Sequence, residues 1–194
     1  MEIDRIGQSS KWLDLLDQLM AEKASVIIAL DGPSGAGKSS LATWFQKKYD
    51  DCAVFHMDDF FLPMAKKSRE RLQTPGGNVD WERFLSEVLL PLKGGKAFSY
   101  RPFNCGTGEL DDLVFAASRK LNVIEGVYSH HPALREVYDM TFFLSIERQE
   151  QLDRILVRNG EMILNRFVKE WIPLEDLYFE KMGIQEKADY IISV

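Results

Sequence analysis

Val26-Ile27-Ile28-Ala29-Leu30-Asp31-Gly32-Pro33-Ser34-Gly35-Ala36-Gly37-Lys38-Ser39 carries two signals back to back. Val26 to Leu30 is short, continuously apolar and rich in β-branched residues, the pattern of a strand buried on both faces. Gly32 to Ser39 then fits G-x-x-x-x-G-K-[ST] at every fixed position. The glycines let the backbone curl so that successive N–H groups converge on phosphate oxygens. Leu41, Trp44 and Phe45 follow at helical spacing to about Tyr49, so a helix N-terminus adds its positive dipole end and its free N–H groups. Lys38 is placed to reach β- and γ-phosphates, and the Ser39 hydroxyl to ligate Mg²⁺. Strand, loop and helix in this order predict a phosphate-binding loop rather than an incidental glycine-rich turn.

Working outward, the same alternation recurs. Ala53–Phe55, Leu121–Ile124, Thr141–Leu144 and Tyr190–Ile192 read as further strands. Between them, Ser9-Ser10 precede Trp12, Leu15, Leu16 and Leu19 on one helical face, and Asp80 caps a helix carrying Phe84, Leu85, Val88 and Leu89 that should end before Pro91. Pro132–Val137 suggests a short helix, and Gln149–Arg158, Met162–Trp171 and Pro173–Glu186 suggest longer ones, with Pro at the first turn of the last. Gly94-Gly95 opens an expected hairpin over about 94–118, with arms at Ala97–Tyr100 and Leu113–Ala117 and Gly106 and Gly108 in its turn. The expected fold is α/β: a three-layer α/β/α unit with a mainly parallel five-stranded sheet, an inserted β-hairpin and lid-like helices over about 147–172. Ligands in such folds sit beyond the carboxyl ends of the strands.

Composition bounds the reading. The 194 residues are 45% hydrophobic and 28% charged, as expected of one globular domain and not of a disordered chain or a disulfide-rich mini-protein. Charges of 24 basic against 30 acidic leave −6, which lacks the footprint of a nucleic-acid binder, so any polyanion must be held at a locally organised site. The start shows no basic region followed by an apolar one, and the longest apolar run is far short of a membrane span of about 20 residues. The expectation is a cytoplasmic protein with Cys52 and Cys105 as free thiols and no membrane partner.

The other strand ends carry acids. His56-Met57-Asp58-Asp59-Phe60-Phe61 follows the second strand, and a carboxylate there can take a proton from an attacking hydroxyl. Glu125-Gly126-Val127 follows Val123-Ile124, where an acid can serve near Mg²⁺, directly or through a metal-bound water. Asp80 in Asn78-Val79-Asp80-Trp81 is balanced between a helix cap and a substrate contact. Arg154 and Arg158 share a helix face and can clamp phosphates. His130-His131 reads as a loop near the site mouth, and Lys66, Lys67, Arg69 and Arg71 as a solvated segment or a flexible flap.

In motif order, from Val26 onward, the chain resembles the uridine kinase and related nucleoside-kinase group of P-loop proteins. Asp58-Asp59-Phe60-Phe61 is similar to that group's D-[SD]-F-[YF], whose first Asp is the general base, and nicotinamide riboside kinases share D-D-F-F. Asn78-Val79-Asp80 is similar to N-F-D, where the Asp holds ribose hydroxyls, and Glu125-Gly126-Val127 to E-G-[IV]. Tyr100 and Phe103 resemble aromatics of the nucleobase pocket, and Arg154 and Arg158 match part of an arginine-rich lid helix. The resemblance implies an ATP- and Mg²⁺-dependent kinase of a small hydroxyl acceptor. Gly32, Pro33, Ser34, Gly35, Ala36, Gly37, Lys38, Ser39 and Ser40 would bind ATP together with Arg154 and Arg158. Asp58 and Lys38 would be catalytic, Ser39 and Glu125 would serve the metal, and Asp58, Asp80, Tyr100, Arg101 and Phe103 would serve the acceptor. Hairpins and lids sit at subunit contacts in related proteins, which leaves room for a homo-oligomer. The chain departs from the group in its sparser lid arginines, in a hairpin without the pocket His, and in Trp81. Pantothenate, glycerate or nicotinamide riboside are alternative acceptors. A regulatory nucleotide-binding protein is the rival class, although neither the N-K-x-D segment of a GTPase nor a D-x-x-G following a strand is present.

Overall fold

Strands buried on both faces read as continuous apolar runs, and the computed structural model, which describes residues 11–194, places three of them at the centre of one sheet. These are β1 (Val26–Asp31), β7 (Leu121–Glu125) and β8 (Met140–Ser145). The edges are β2 (Cys52–His56) and β9 (Tyr190–Ser193), giving the order β2-β7-β1-β8-β9 with every pairing parallel. Ser9 and Ser10, ahead of the first helix, lie outside the described residues.

Each run divides its side chains between two cores by the twofold alternation of a strand. Ile27 and Ala29 face one core with Phe55, Ile124 and Phe143. Val26, Ile28 and Leu30 face the other with Val123, Phe142 and Leu144. The second face is covered by α1 (Lys11–Glu22), through Trp12 and Leu16, and by α2 (Lys38–Lys48), through Leu41 and Phe45. The first is covered by a helix over 81–93 (α4, after the short α3 at Arg69–Gln73), through Phe84, Val88, Leu89 and Leu92. Helices therefore lie on both faces, as the sequence predicts.

Two long helices follow β8: α5 (Arg148–Asn159) and α6 over 161–182, broken at Gly160, before the short α7 (Ile184–Lys187). The inserted hairpin pairs β3 (Ala97–Tyr100) with β6 (Val114–Ala117), and a nested pair, β4 (Phe103–Asn104) and β5 (Glu109–Leu110), lies at its tip.

Three expectations need correction. Pro91 does not end its helix, which runs to Lys93, and Pro173 does not start one but lies inside α6. A proline inside a helix loses one hydrogen bond and crowds the carbonyl four residues back. In both places a π-turn precedes it. The Leu90 N–H reaches back five residues to Leu85, and the Ile172 N–H five residues to Phe167, so the helix is already widened where the ring needs room. The expected short helix over 132–137 is a single 3₁₀ turn, Arg135–Val137.

Candidate active site

The phosphate loop is shaped by close backbone approach. Gly32 sits at φ 138°, and a Cβ there would lie 2.2 Å from the Leu144 carbonyl oxygen of the neighbouring strand. Gly35 and Gly37 also have positive φ, and Gly37 leads directly into α2. The first turn of α2 leaves its N–H groups without helical partners, so they point at the space in front of the loop. Asp31, fully buried, fixes the loop's root: its carboxylate accepts from the Gly32 N–H (2.7 Å), the His130 N–H (2.8 Å) and the Tyr178 hydroxyl (2.8 Å).

Lys38 folds back over the loop and donates to the carbonyls of Gly32 (2.7 Å) and Pro33 (3.0 Å). The Ser39 hydroxyl lies 3.2 and 3.3 Å from the two carboxylate oxygens of Glu125, which the parallel β7 strand delivers beside the loop. His56, the last residue of β2, lies opposite Glu125 in the sheet and contacts it at 2.5 Å through Nδ1. That hydrogen bond raises the His56 pKa, against the pull of burial. Glu125 is thus held between the Ser39 hydroxyl and the His56 ring.

A cleft of about 520 Å³ opens in front of these groups, within the size range of small-molecule sites. It is lined by Ser34, Gly35, Gly37, Lys38, Ser39 and Ser40 of the loop and α2, by Asp58 and Glu125, and by Arg154, Arg158 and Phe167. The structure thus brings together the expected phosphate loop, the candidate base, the candidate metal-side acid and both lid arginines. Ala36 is fully buried in the core and Pro33 contributes its carbonyl to Lys38, so neither side chain lines the cleft. Arg154 reaches the Gly35 carbonyl (3.3 Å) and pairs with Glu150, whereas Arg158 contacts Asn159 at 2.7 Å.

Asp58 stands on the 3₁₀ turn Met57–Phe60 directly after β2. It is exposed to the cleft, with neighbouring protein atoms around its carboxylate. Desolvation raises its pKa and Glu125 raises it further, while Lys38, His56 and Arg158 oppose them. A base with a raised pKa that faces a cationic phosphate floor can hold a proton taken from a hydroxyl.

The acceptor-side residues are placed differently. Asp80 is buried, caps α4 by accepting from the Arg83 N–H (3.2 Å), and pairs with Lys66 at 2.9 Å. The sequence left cap and substrate contact balanced, and the cap is present. Tyr100 packs on Phe60 at 5.4 Å between ring centroids and turns its hydroxyl toward Asp59; burial pushes its pKa up to about 12. Arg101 donates to the carbonyls of Asp111 (2.6 Å) and Leu110 (3.3 Å) within the hairpin, and Phe103 is buried in β4. None of these four lines the 520 Å³ cleft. The basic run is only partly free: Arg71 forks onto Glu82 with two 2.7 Å bonds and also holds the carbonyls of Gly77 and Val79. His130 and His131, expected at the mouth, are both buried, and His131 stacks on Trp81 at 4.9 Å.

Among the described residues, no group of three or more His, Cys, Asp or Glu side chains is placed to hold a metal alone. Ser39 and Glu125 fit a Mg²⁺ that arrives with phosphates, because that ion keeps several waters and needs only one or two protein oxygens. Cys52 and Cys105 are free, and no described helix is long and apolar enough to cross a membrane.

A protein described as a possible uridine kinase from Bacillus stearothermophilus superposes with a TM-score of 0.67 at 19% identity, over 94% of this chain and 100% of that one. This chain shares that protein's fold. The same uridine kinase-like architecture is seen in a protein from Silicibacter sp. TM1040, provisionally assigned as a fructose transport system kinase (TM-score 0.67, 18% identity, 94% of this chain and 99% of that one). Among curated sequences, nicotinamide riboside kinase 2 of Mus musculus is 27% identical over 136 residues. That match covers 64% of this chain, and the chain spans 64% of that protein's length. No family model matches.

Four residues that shape the site were not singled out as site residues from the sequence: Asp31, His56, Gln151 and Glu175. Asp31 and His56 flank motifs that were read. Gln151 and Glu175 act on Ser34 from 117 and 141 residues away, and no local signature marks them.

Proposed function

We propose that the protein is an ATP-dependent kinase that phosphorylates a hydroxyl of a nucleoside-like small molecule. The observation that carries this reading is Asp58 facing the same cleft as Lys38, Ser39 and Glu125. A nucleotide-binding switch needs the loop and a cation site; a carboxylate with a raised pKa opposite them is what a hydroxyl acceptor needs.

On this reading, the acceptor hydroxyl attacks the γ-phosphorus, the bond from that phosphorus to the β–γ bridging oxygen breaks, and ADP leaves. Asp58 takes the hydroxyl proton. Lys38 leaves the Gly32 and Pro33 carbonyls for the β- and γ-phosphate oxygens. Ser39 and Glu125 would hold Mg²⁺, which would supply charge neutralisation on the phosphates. Arg154 and Arg158, which line the same cleft, stabilise charge on the transferring group. Positioning and charge supply the catalysis, since phosphoryl transfer leaves the protein little covalent chemistry.

The test is a phosphorylation panel with ADP detection. The likeness to nicotinamide riboside kinase 2 puts nicotinamide riboside beside uridine at its head, followed by other nucleosides, pantothenate and glycerate. Acceptor-dependent ADP release is the expected result. ATP hydrolysis indifferent to every alcohol would instead assign a nucleotide-dependent regulatory protein.

A further inference from the structure

Ser34 is held from outside the phosphate loop at each of its polar groups. Its N–H donates to Glu175 Oε2 (3.0 Å), its hydroxyl to Glu175 Oε1 (2.5 Å), and its carbonyl accepts from Gln151 Nε2 (2.9 Å). Glu175 lies on α6 with 4% of its surface exposed. Gln151 lies on α5, and its own oxygen accepts from Arg148 (2.8 Å), so the amide is turned with its nitrogen toward Ser34. Arg148 also binds both oxygens of Asp176 (2.7 and 2.8 Å), the residue after Glu175. Loop, α5 and α6 are thereby closed into one ring of polar contacts.

A negative side chain buried beside Lys38, close to where phosphates bind, is an unfavourable choice for helix packing alone. Burial raises the Glu175 pKa, and only the Ser34 bonds and Lys38 ease it. Its two oxygens nevertheless match two donors of one loop residue. We propose that Glu175 is a positioning residue for the nucleotide phosphates: it turns the Ser34 N–H and O–H toward α6, presets the curl of the loop, and makes loop and helix move as one piece. The proposal rests on the nucleotide half of the reading above and not on the acceptor.

Glu175→Gln separates geometry from charge, because an amide can still accept from the Ser34 N–H and donate to its hydroxyl. Affinity for Mg-ADP is measured by titration calorimetry on the full chain, at a temperature well below each variant's melting midpoint. Glu175→Ala should weaken binding by about tenfold or more, the effect of leaving a buried donor unpaired. Glu175→Gln should stay within about threefold of the wild type. In turnover, the ATP KM should rise for Glu175→Ala while the acceptor KM does not move.

Binding by Glu175→Ala equal to wild type would overturn the proposal, as would Glu175→Gln binding as weakly as the Ala variant. A wild type that binds Mg-ADP but phosphorylates no alcohol would sink the kinase reading and leave this one standing. If Glu175→Ala does not fold, hydrogen exchange on the wild type decides. Mg-ADP should slow exchange of the amides over 172–178, and unchanged exchange there overturns the coupling.

Discussion

The two ends of the site are built in opposite ways. The phosphate end stands on the carboxyl termini of β1, β2 and β7 and the N-terminus of α2, so its groups are delivered by regular elements. The proposed acceptor end draws on the irregular 57–80 segment and the hairpin, and several of its charged groups are already engaged: Asp80 with Lys66, Arg71 with Glu82, Arg101 with backbone carbonyls. Regular elements fix the part that any phosphoryl donor needs. Substitutable loops carry the part that chooses an acceptor, which is why fold-level likeness says little about that choice.

Mutation can break or sharpen this contrast. Asp58 belongs to both ends, and Asp58→Asn should lower kcat by about 10²–10⁴, the usual worth of a general base, while nucleotide affinity is kept. Near-normal turnover would remove it from the base role. Because desolvation and Glu125 raise its pKa, the wild-type acid limb should lie above the usual value of an aspartate. Activity is lost as pH falls through that value, since the base must be ionised, and a kcat/KM profile against pH reads it directly.

Gly32→Ala tests the rigidity of the phosphate end. With a Cβ 2.2 Å from the Leu144 oxygen, the loop or β8 must shift. We expect a loss of about 2–4 kcal/mol in denaturant unfolding, in the range of strained core substitutions, with weakened Mg-ADP binding. At the acceptor end, Asp80→Asn keeps a capping oxygen and removes the charge facing Lys66. The acceptor KM should rise by about 3–30-fold with the ATP KM unchanged, a change of the size of one charged contact. Equal shifts in both KM values would erase the boundary between the ends. The smallest effect belongs to Arg101→Ala, which removes two exposed bonds within the hairpin and should cost about 1 kcal/mol or less of stability without touching the ATP KM.

The same contrast explains what could be read in advance. The loop, Asp58 and Glu125 were legible because a strand, its carboxyl end and a helix start are contiguous in sequence. The hairpin arms were legible because glycines mark their ends. Glu175 was not, because its partner is 141 residues away and an isolated Glu on an amphipathic helix looks solvated. His130 and His131 were placed at the mouth because imidazoles read as polar. They are inside, where burial lowers the pKa of both, to about 4 for His131, and a neutral ring stacks on Trp81 at little cost. Pro91 misled because a proline normally ends a helix and Pro173 because a proline favours the first turn of one, and the π-turn that accommodates each has no sequence mark of its own.

Those π-turns make chain length, and not only residue type, a determinant of the site. A helix advances about 100° per residue, so the wide turn at Phe167–Trp171 sets which side of α6 faces inward beyond it. Glu175 and Tyr178 both lie past that turn and both face the root of the phosphate loop. Deleting a single residue from 167–171 would close the wide turn to an ordinary α-helical one, whereas inserting a residue beyond it would rotate Glu175 and Tyr178 by about 100° off Ser34 and Asp31. In this region an insertion is a more severe change than most substitutions.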